Sequence, residues 1–279
     1  MDEDGLPSLL SSSYEYEQKV EINESLELDI QSVKRQEVIM RVNRNQLKKD
    51  QDVTGLKLWE FGLEFAKWLS SKPNFFSNKR ILELGAGCGT LSISLAATAS
   101  EALSITMTDA AEEALGLLQL NLEKNQHKLV APVTIKKCLW TVEPDDSSLS
   151  SCADIVLGTD LLYHMTTVES LFATAIRALE KKEVDDKCSN DNSGVHGVFF
   201  LGGMSRYYGT IESIRNTASS LQLACHFVSL KEMNIHYCDG MFLAIISTNE
   251  SNIEKVIQEL ELTIDAGVND DHEEDNDDY

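Results

Sequence analysis

The chain has 279 residues, of which 42% are hydrophobic, so it is long enough to form one large globular domain with extensions. Its formal net charge is −22, and the segment 269–279 alone carries seven acidic residues and no Lys or Arg. General binding to DNA or RNA needs clustered Lys and Arg, so this charge argues against a nucleic-acid-binding protein and is compatible with a basic protein partner.

Export, membrane insertion and zinc binding are not indicated by the sequence. The N-terminal stretch MDEDGLPSLLSSSYEYE is acidic where a secretory signal would be basic, and no apolar run approaches the length of a membrane span. The six cysteines are scattered without a C-x-x-C pair, which is typical of free thiols in a reducing compartment. We therefore expect a cytoplasmic protein, with the nucleus as an alternative location. The cysteine and histidine spacing does not suggest zinc, so we expect no metal site. We also expect a monomer, because neither heptads nor an apolar stripe is evident.

The N-terminal part of the chain predicts a disordered leader over residues 1–16 and a β extension over 17–53. Within the extension, KVEINESLELDIQSV alternates apolar and polar residues as a hairpin does, and EVIMRV is a third candidate strand. The next stretch, TGLKLWEFGLEFAKWLSS, predicts a helix with an apolar face that begins at Thr54 and is stopped by Pro73.

Strands and helices alternate from Lys79 onward. This order predicts a Rossmann-like, doubly wound α/β fold with a mostly parallel sheet of seven strands. The last two strands are separated only by a loop and should pair antiparallel at one edge. The predicted strands are 79–84, 103–108, 133–139, 153–159, 197–203, 223–230 and 241–248, and the predicted helices are 90–99, 112–125, 167–181 and 210–221.

The main domain is expected to span residues 54–249, with an inserted polar loop over 183–196. A C-terminal helix over 250–266 and an acidic disordered tail over 267–279 would follow it.

A glycine-rich loop lies between the first of these strands and the next helix, in RILELGAGCGTLSISLA. Gly85, Gly87 and Gly89 stand at alternate positions, which lets a ligand approach the backbone without meeting side chains. A nicotinamide-type G-x-G-x-x-G fingerprint would require glycine where this chain has Thr90, and no G-K-[ST] follows as in a P-loop. The loop therefore predicts a ligand site of another kind at the carboxyl end of the strand.

The stretch ELGAGCG resembles motif I of the seven-β-strand S-adenosylmethionine-dependent methyltransferases, E/D-x-G-x-G-x-G. The resemblance implies S-adenosyl-L-methionine as the cofactor, and an acid at Glu83 suits the ammonium and sulfonium charges of that molecule. Asp109, which comes near the end of SITMTDA in the next strand, matches the acid that hydrogen-bonds the ribose hydroxyls.

Two further stretches narrow the resemblance to the family-16, methyltransferase-like 21-type protein methyltransferases, many of which modify lysine. They are LKLWEFGLEFAKWL, upstream of motif I, and DIVLGTDLLYH, whose D-x-x-Y hallmark comprises Asp160 and Tyr163. The resemblance covers about residues 54–248 and implies methyl transfer to a lysine of a protein substrate. It implies a cofactor-binding set of Trp59, Glu83, Gly85, Gly87, Gly89, Asp109, Trp140 and Asp160, and a catalytic pair of Asp160 and Tyr163.

Methyl transfer from a sulfonium requires an aligned, unprotonated amine. A free lysine has a pKa near 10.4, and desolvation together with the nearby sulfonium charge would lower it. A carboxylate at Asp160 would raise that pKa, so we assign Asp160 to orienting the amine or the cofactor. Tyr163 would form a wall of the substrate channel, and Trp59 with Glu60 would close the donor pocket.

Other functions and plainer structural roles compete with this hypothesis. Base-methylating enzymes commonly carry [DN]-P-P-[YF] where this chain has DLLY, whereas a small-molecule methyltransferase or a non-catalytic cofactor-binding scaffold would keep the same donor motifs. The glycines could form only a tight turn, and Asp109 could be a helix cap. The two tryptophans and Tyr163 could be packing residues, and Glu60 could simply be exposed.

Overall fold

The computed structural model describes residues 16–32, 54–143, 149–162, 168–179, 197–205 and 209–268. The chain divides into two compact units, residues 1–139 and 140–279. The candidate strand EVIMRV, the inserted loop at 183–196 and the acidic tail from residue 269 lie outside the described residues.

The predicted N-terminal hairpin is confirmed. β1 (Tyr16–Asn23) and β2 (Leu26–Ser32) pair antiparallel, with Val20 opposite Leu28. Side chains of a strand alternate between its two faces, so every second residue of the hairpin is buried. The buried hydrophobic residues of the hairpin are Val20, Ile22, Leu28 and Ile30, and they share one apolar cluster with Ala86, Cys88, Leu117 and Leu118.

The rest of the first unit alternates helices and strands as the sequence predicts. It contains α1 (Glu60–Ser70), β3 (Arg80–Leu84), α2 (Thr90–Thr98), β4 (Ser104–Asp109), α3 (Glu112–Asn125) and β5 (Val133–Lys137). The prediction that the first helix begins at Thr54 is wrong, because Thr54–Leu56 form a separate 3-10 turn and α1 begins only at Glu60. This turn packs against the glycine loop, as described below, and the contact keeps the turn separate from α1.

The second unit supplies the remaining elements. They are β6 (Ile155–Thr159), α4 (Val168–Leu179), β7 (Val198–Met204), α5 (Thr210–Ser220), β8 (Ala224–Phe227), β9 (Met241–Ser247) and α6 (Glu250–Leu260). The predicted C-terminal helix over 250–266 is too long. Glu261 adopts a left-handed conformation with φ 55°, which ends the helix, and Ile264 then forms a β-bridge with Val228.

The seven strands of the main domain are ordered β5-β4-β3 in the first unit and β6-β7-β9-β8 in the second. In the first unit β3, β4 and β5 run parallel; in the second, β6 and β7 run parallel and β9 runs antiparallel to both β7 and β8. The Rossmann-like, mostly parallel fold with antiparallel pairing at one edge is thereby confirmed. β3 and β6 are buried along nearly their whole length, which explains why their sequences are apolar without alternation. Within the described part of the chain, every helix is too short or too polar to cross a membrane.

Candidate functional site

The loop between β3 and α2 is a tight turn with little room for side chains. Gly85, Gly87 and Gly89 have φ values of 61°, 56° and 80°, which L residues rarely adopt. Gly87 is the most constrained, because a Cβ there would lie 2.5 Å from the carbonyl oxygen of Gly55. That oxygen belongs to the backbone of the 3-10 turn and cannot rotate away. Residue 87 must therefore be glycine for the turn and the loop to stay in contact.

Asp109 ends β4 and bonds to both the glycine loop and the start of α3. Its Oδ2 accepts a hydrogen bond from the Gly87 N–H at 3.1 Å, and its Oδ1 accepts one from the Ala111 N–H at 3.0 Å. The residue is partly exposed. The structure thus brings Asp109 next to the loop, and the same side chain holds the entry to α3. The N-cap residue of α3 is Ala111, and the Asp109 bond goes to the N–H of that residue, so Asp109 fixes the approach to α3 and does not cap its first turn.

Glu83 is buried, with 2% of its surface exposed. Its Oε2 accepts a hydrogen bond from the Ser92 N–H at 3.2 Å, in the first turn of α2. The N-cap residue of α2 is Gly89, which has no side chain, so Glu83 supplies the acceptor that a capping residue would offer. Burial raises the pKa of Glu83 to about 7 despite the hydrogen bond from Ser92, and the charge of Asp109 adds to the rise.

The segment between the 3-10 turn and α1 adjoins the glycine loop. The Sγ of Cys88 lies 3.9 Å from the carbonyl oxygen of Lys57, and the Lys57 ammonium lies 3.9 Å from the centroid of the Trp59 ring. Trp59 is partly buried at the N-cap position of α1, and Glu60 is exposed. The two residues lie at the end of a segment fixed to the loop, and their closing of a donor pocket stays a prediction.

Asp160 directly follows β6 in a conformation that is unusual for a residue with a side chain. Its φ is 55°, and its N–H donates a hydrogen bond to the carbonyl oxygen of Gly202 at 2.8 Å. A Cβ on Gly203 would lie 3.0 Å from both the N and the Cα of Asp160. Gly203 therefore leaves space for the backbone of Asp160, and the carbonyl oxygen of Gly202 binds it. A strained backbone held by its surroundings is typical of functional positions.

Trp140 is partly buried and begins a segment that α4 holds in place. The Arg177 guanidinium donates hydrogen bonds of 2.8 Å to the carbonyl oxygens of Thr141 and Val142. The Oγ1 of Thr174 accepts a bond from the Thr141 N–H at 3.1 Å. The residues after Trp140 are therefore anchored. Tyr163, the third aromatic residue of the predicted site, lies outside the described residues.

Gly55 and Gly203 complete these arrangements, although neither was predicted to belong to the site. The carbonyl oxygen of Gly55 lies against Gly87, and Gly203 lies against the backbone of Asp160. A sequence signal existed for the second, because glycines inside a strand commonly mark a close approach of another backbone. No comparable signal marks Gly55, since its role depends on a loop more than thirty residues away in sequence.

A model of the lysine methyltransferase family matches residues 36–190, which is more than half of the chain. The chain belongs to this family. The match includes the glycine loop, Asp109 and Asp160, so the lysine methyltransferase family accounts for the motifs described above. The resemblance to family-16 protein methyltransferases is confirmed.

Three curated proteins are similar to part of this chain. Protein-lysine N-methyltransferase EFM3 of Chaetomium thermophilum is 32% identical over 126 residues, covering 43% of this chain and 37% of the relative. Human protein-lysine N-methyltransferase EEF2KMT is 27% identical over 139 residues, covering 47% and 42%. Protein N-lysine methyltransferase METTL21A of Xenopus tropicalis is 28% identical over 147 residues, covering 51% and 65%. The matches thus span 37% to 65% of the length of these curated relatives.

Proposed function

We propose that this member of the lysine methyltransferase family transfers a methyl group from S-adenosyl-L-methionine to a lysine side chain of a protein. The observation that carries the proposal is the hydrogen bond between Asp109 and the Gly87 N–H, which joins the two cofactor motifs at the carboxyl ends of β3 and β4. The names of the three relatives described above, each a protein-lysine methyltransferase, support the choice of substrate.

The residues of the first unit fit this cofactor. Gly87 has no room for a side chain, so a ligand at the loop would meet backbone there. Asp109 is partly exposed and carries carboxylate oxygens that accept hydrogen bonds from a ribose diol. Glu83 contributes a carboxyl group whose ionised form favours a cationic ligand. When bound, S-adenosylmethionine would supply the methyl group on its sulfonium.

The chain's own residues then have to orient a neutral amine. A lysine with its ordinary pKa near 10.4 is protonated at neutral pH and must lose a proton before it can attack. Asp160 would raise that pKa, so its carboxylate serves to orient the amine rather than to deprotonate it. The backbone of Asp160 is fixed by Gly202 and Gly203, which limits the positions its carboxylate can take. Rigid positioning of this kind contributes much of the rate in displacement reactions.

The proposal also includes the kind of substrate, the oligomeric state and the cellular location. A net charge of −22 supports a protein substrate over nucleic acid, and a basic surface on that protein would complement the charge. We propose a monomer that acts in the cytoplasm or the nucleus.

The test is a methyl-transfer assay with radiolabelled S-adenosylmethionine and a lysate depleted of the endogenous enzyme. Wild type is compared with Asp160→Ala and with Glu254→Ala, which alters an exposed residue of α6. One protein band labelled by wild type and by Glu254→Ala, but not by Asp160→Ala, with the label on lysine, is the expected result.

Other results would redirect the assignment. Label in the small-molecule fraction would favour a small-molecule methyltransferase. Calorimetric binding of the cofactor without any label would favour a non-catalytic scaffold. Absence of binding would overturn the assignment of the glycine loop.

A further inference from the structure

Two asparagines of α3 bond to the backbone of the N-terminal hairpin. The Oδ1 of Asn125 accepts a hydrogen bond from the Asp29 N–H, and its Nδ2 donates to the Asp29 carbonyl oxygen, both at 2.9 Å. One helical turn earlier, Asn121 makes the same pair of bonds with Gln31, at 2.8 and 3.0 Å. Each asparagine side chain therefore exchanges two hydrogen bonds with one backbone residue of β2, as a residue of a neighbouring antiparallel strand would.

Asn121 makes one more contact, and it reaches the glycine loop. The same Nδ2 that bonds to Gln31 donates its second hydrogen to the carbonyl oxygen of Cys88 at 2.9 Å. Asn121 is fully buried, and these three bonds use both of its N–H groups and its carbonyl oxygen. The corresponding third bond of Asn125 goes to the Asn121 carbonyl oxygen within α3, not to the loop. Asn121 thus ties the hairpin to the loop, and Asn125 ties the hairpin to the helix alone.

Packing and charge support the same connection. The inward face of the hairpin and the loop residues Ala86 and Cys88 belong to one apolar cluster. At its outer side the hairpin is joined by two ion pairs: Lys124 of α3 pairs with Glu17 at 3.1 Å, and Lys128, in the 3-10 turn after α3, pairs with Asp29 at 2.8 Å. These ion pairs are partly exposed and contribute little to stability. Among the polar contacts between the hairpin and α3, the hydrogen bonds of the buried asparagines therefore contribute most.

We propose that Asn121 is a positioning residue that fixes the hairpin and the glycine loop relative to each other, so that an ordered hairpin and an occupied loop stabilise one another. The identity of the loop's ligand rests on the function proposed above. Coupling of this kind is reciprocal: a ligand that orders the loop must also reduce opening of the hairpin, and loosening the hairpin must weaken the ligand.

The experiment uses the full chain and two matched substitutions, Asn121→Ala and Asn125→Ala. Each removes two hydrogen bonds to β2, but only the first removes the bond to Cys88. Calorimetry gives the Kd for S-adenosylmethionine, and hydrogen exchange reports on peptides covering 26–32 and 84–92. We expect Asn121→Ala to weaken cofactor binding about tenfold and Asn125→Ala by less than about twofold.

Exchange in the absence of cofactor keeps the proposal testable on its own. Asn121→Ala should speed exchange in both peptides, and Asn125→Ala in the hairpin peptide alone. In the wild type, saturating cofactor should slow exchange of the hairpin peptide, a comparison that needs no variant to fold. Equal losses of affinity in the two variants, or an unchanged hairpin at saturating cofactor, would overturn the proposal and leave the function standing. Absence of calorimetric binding would instead overturn the proposed function and the coupling with it.

Discussion

Replacing Glu83 by glutamine should stabilise the folded protein at alkaline pH, although it removes a residue of the candidate site. Glu83 is buried, and its carboxylate is costly to ionise there. The substituted glutamine side chain would carry no charge, and its Oε1 could still accept the hydrogen bond from the Ser92 N–H.

The size of the effect follows from the pKa. Burial raises the pKa of Glu83 from its ordinary value of 4.5 to about 7, so between these values the folded state binds more protons than the unfolded state. The free energy of unfolding therefore falls as the pH rises through this window. The full difference corresponds to roughly 3 kcal/mol once the pH exceeds about 7. A carboxylate at a helix N-terminus contributes only about 0.3 to 2 kcal/mol, so burial outweighs capping.

Urea unfolding of the wild type and Glu83→Gln from about pH 5 to about pH 8 measures the difference. We expect the variant to be more stable by roughly 3 kcal/mol at about pH 8 and by less than about 1 kcal/mol at about pH 5. Glu254→Gln, at an exposed position, should follow wild type within about 0.5 kcal/mol throughout. A Glu83→Gln variant that is less stable by the same amount at every pH would refute the reasoning, because it would show a charged carboxylate acting as a helix cap.

Gly87→Ala should weaken S-adenosylmethionine binding at least about tenfold in calorimetry, because its Cβ would lie 2.5 Å from a backbone oxygen of the 3-10 turn. Gly209→Ala, with φ 87° and no atom within 4 Å of the added carbon, is the control for backbone strain and should bind normally. Gly203→Ala should slow methyl transfer about as much as Asp160→Ala does, since it displaces the Asp160 backbone; a folded variant with wild-type rates would contradict this. The thiol of Cys88 is buried and its pKa is raised by burial, so mass spectrometry should find it labelled by iodoacetamide only in urea; rapid labelling of the native protein would show an open loop.

Much of the fold could be predicted from the sequence because the relevant signals are local. Alternation marked the hairpin, apolar runs marked β3 and β6, and the glycine loop marked the junction of β3 with α2. The elements that were mispredicted depend on contacts distant in sequence. Thr54 begins a turn because Gly55 packs on Gly87, and the C-terminal helix stops at Leu260 as the chain turns to pair with Val228.

The same distinction between local signals and distant contacts applies to the candidate site. The resemblance to family motifs implied Glu83, Asp109 and Asp160, but it could not tell that Glu83 would be buried beneath the start of α2. The motifs also gave no indication of Asn121, since it acts through backbone groups that lie far away along the chain. In such a family, the residues of the site lie in short sequence motifs, whereas the contacts that support them form only in the folded chain.

The pairing of α3 with the hairpin closes a strand edge that would otherwise be available for β-augmentation. Exposed edges recruit extended peptides or further copies of a protein through free N–H and C=O groups. Along β2, the groups of Asp29 and Gln31 are already bonded to Asn125 and Asn121. A lysine-bearing segment therefore cannot add to the hairpin as a third strand at this edge. A peptide that contacts this edge would have to bind through side chains, because the backbone groups of Asp29 and Gln31 are already used.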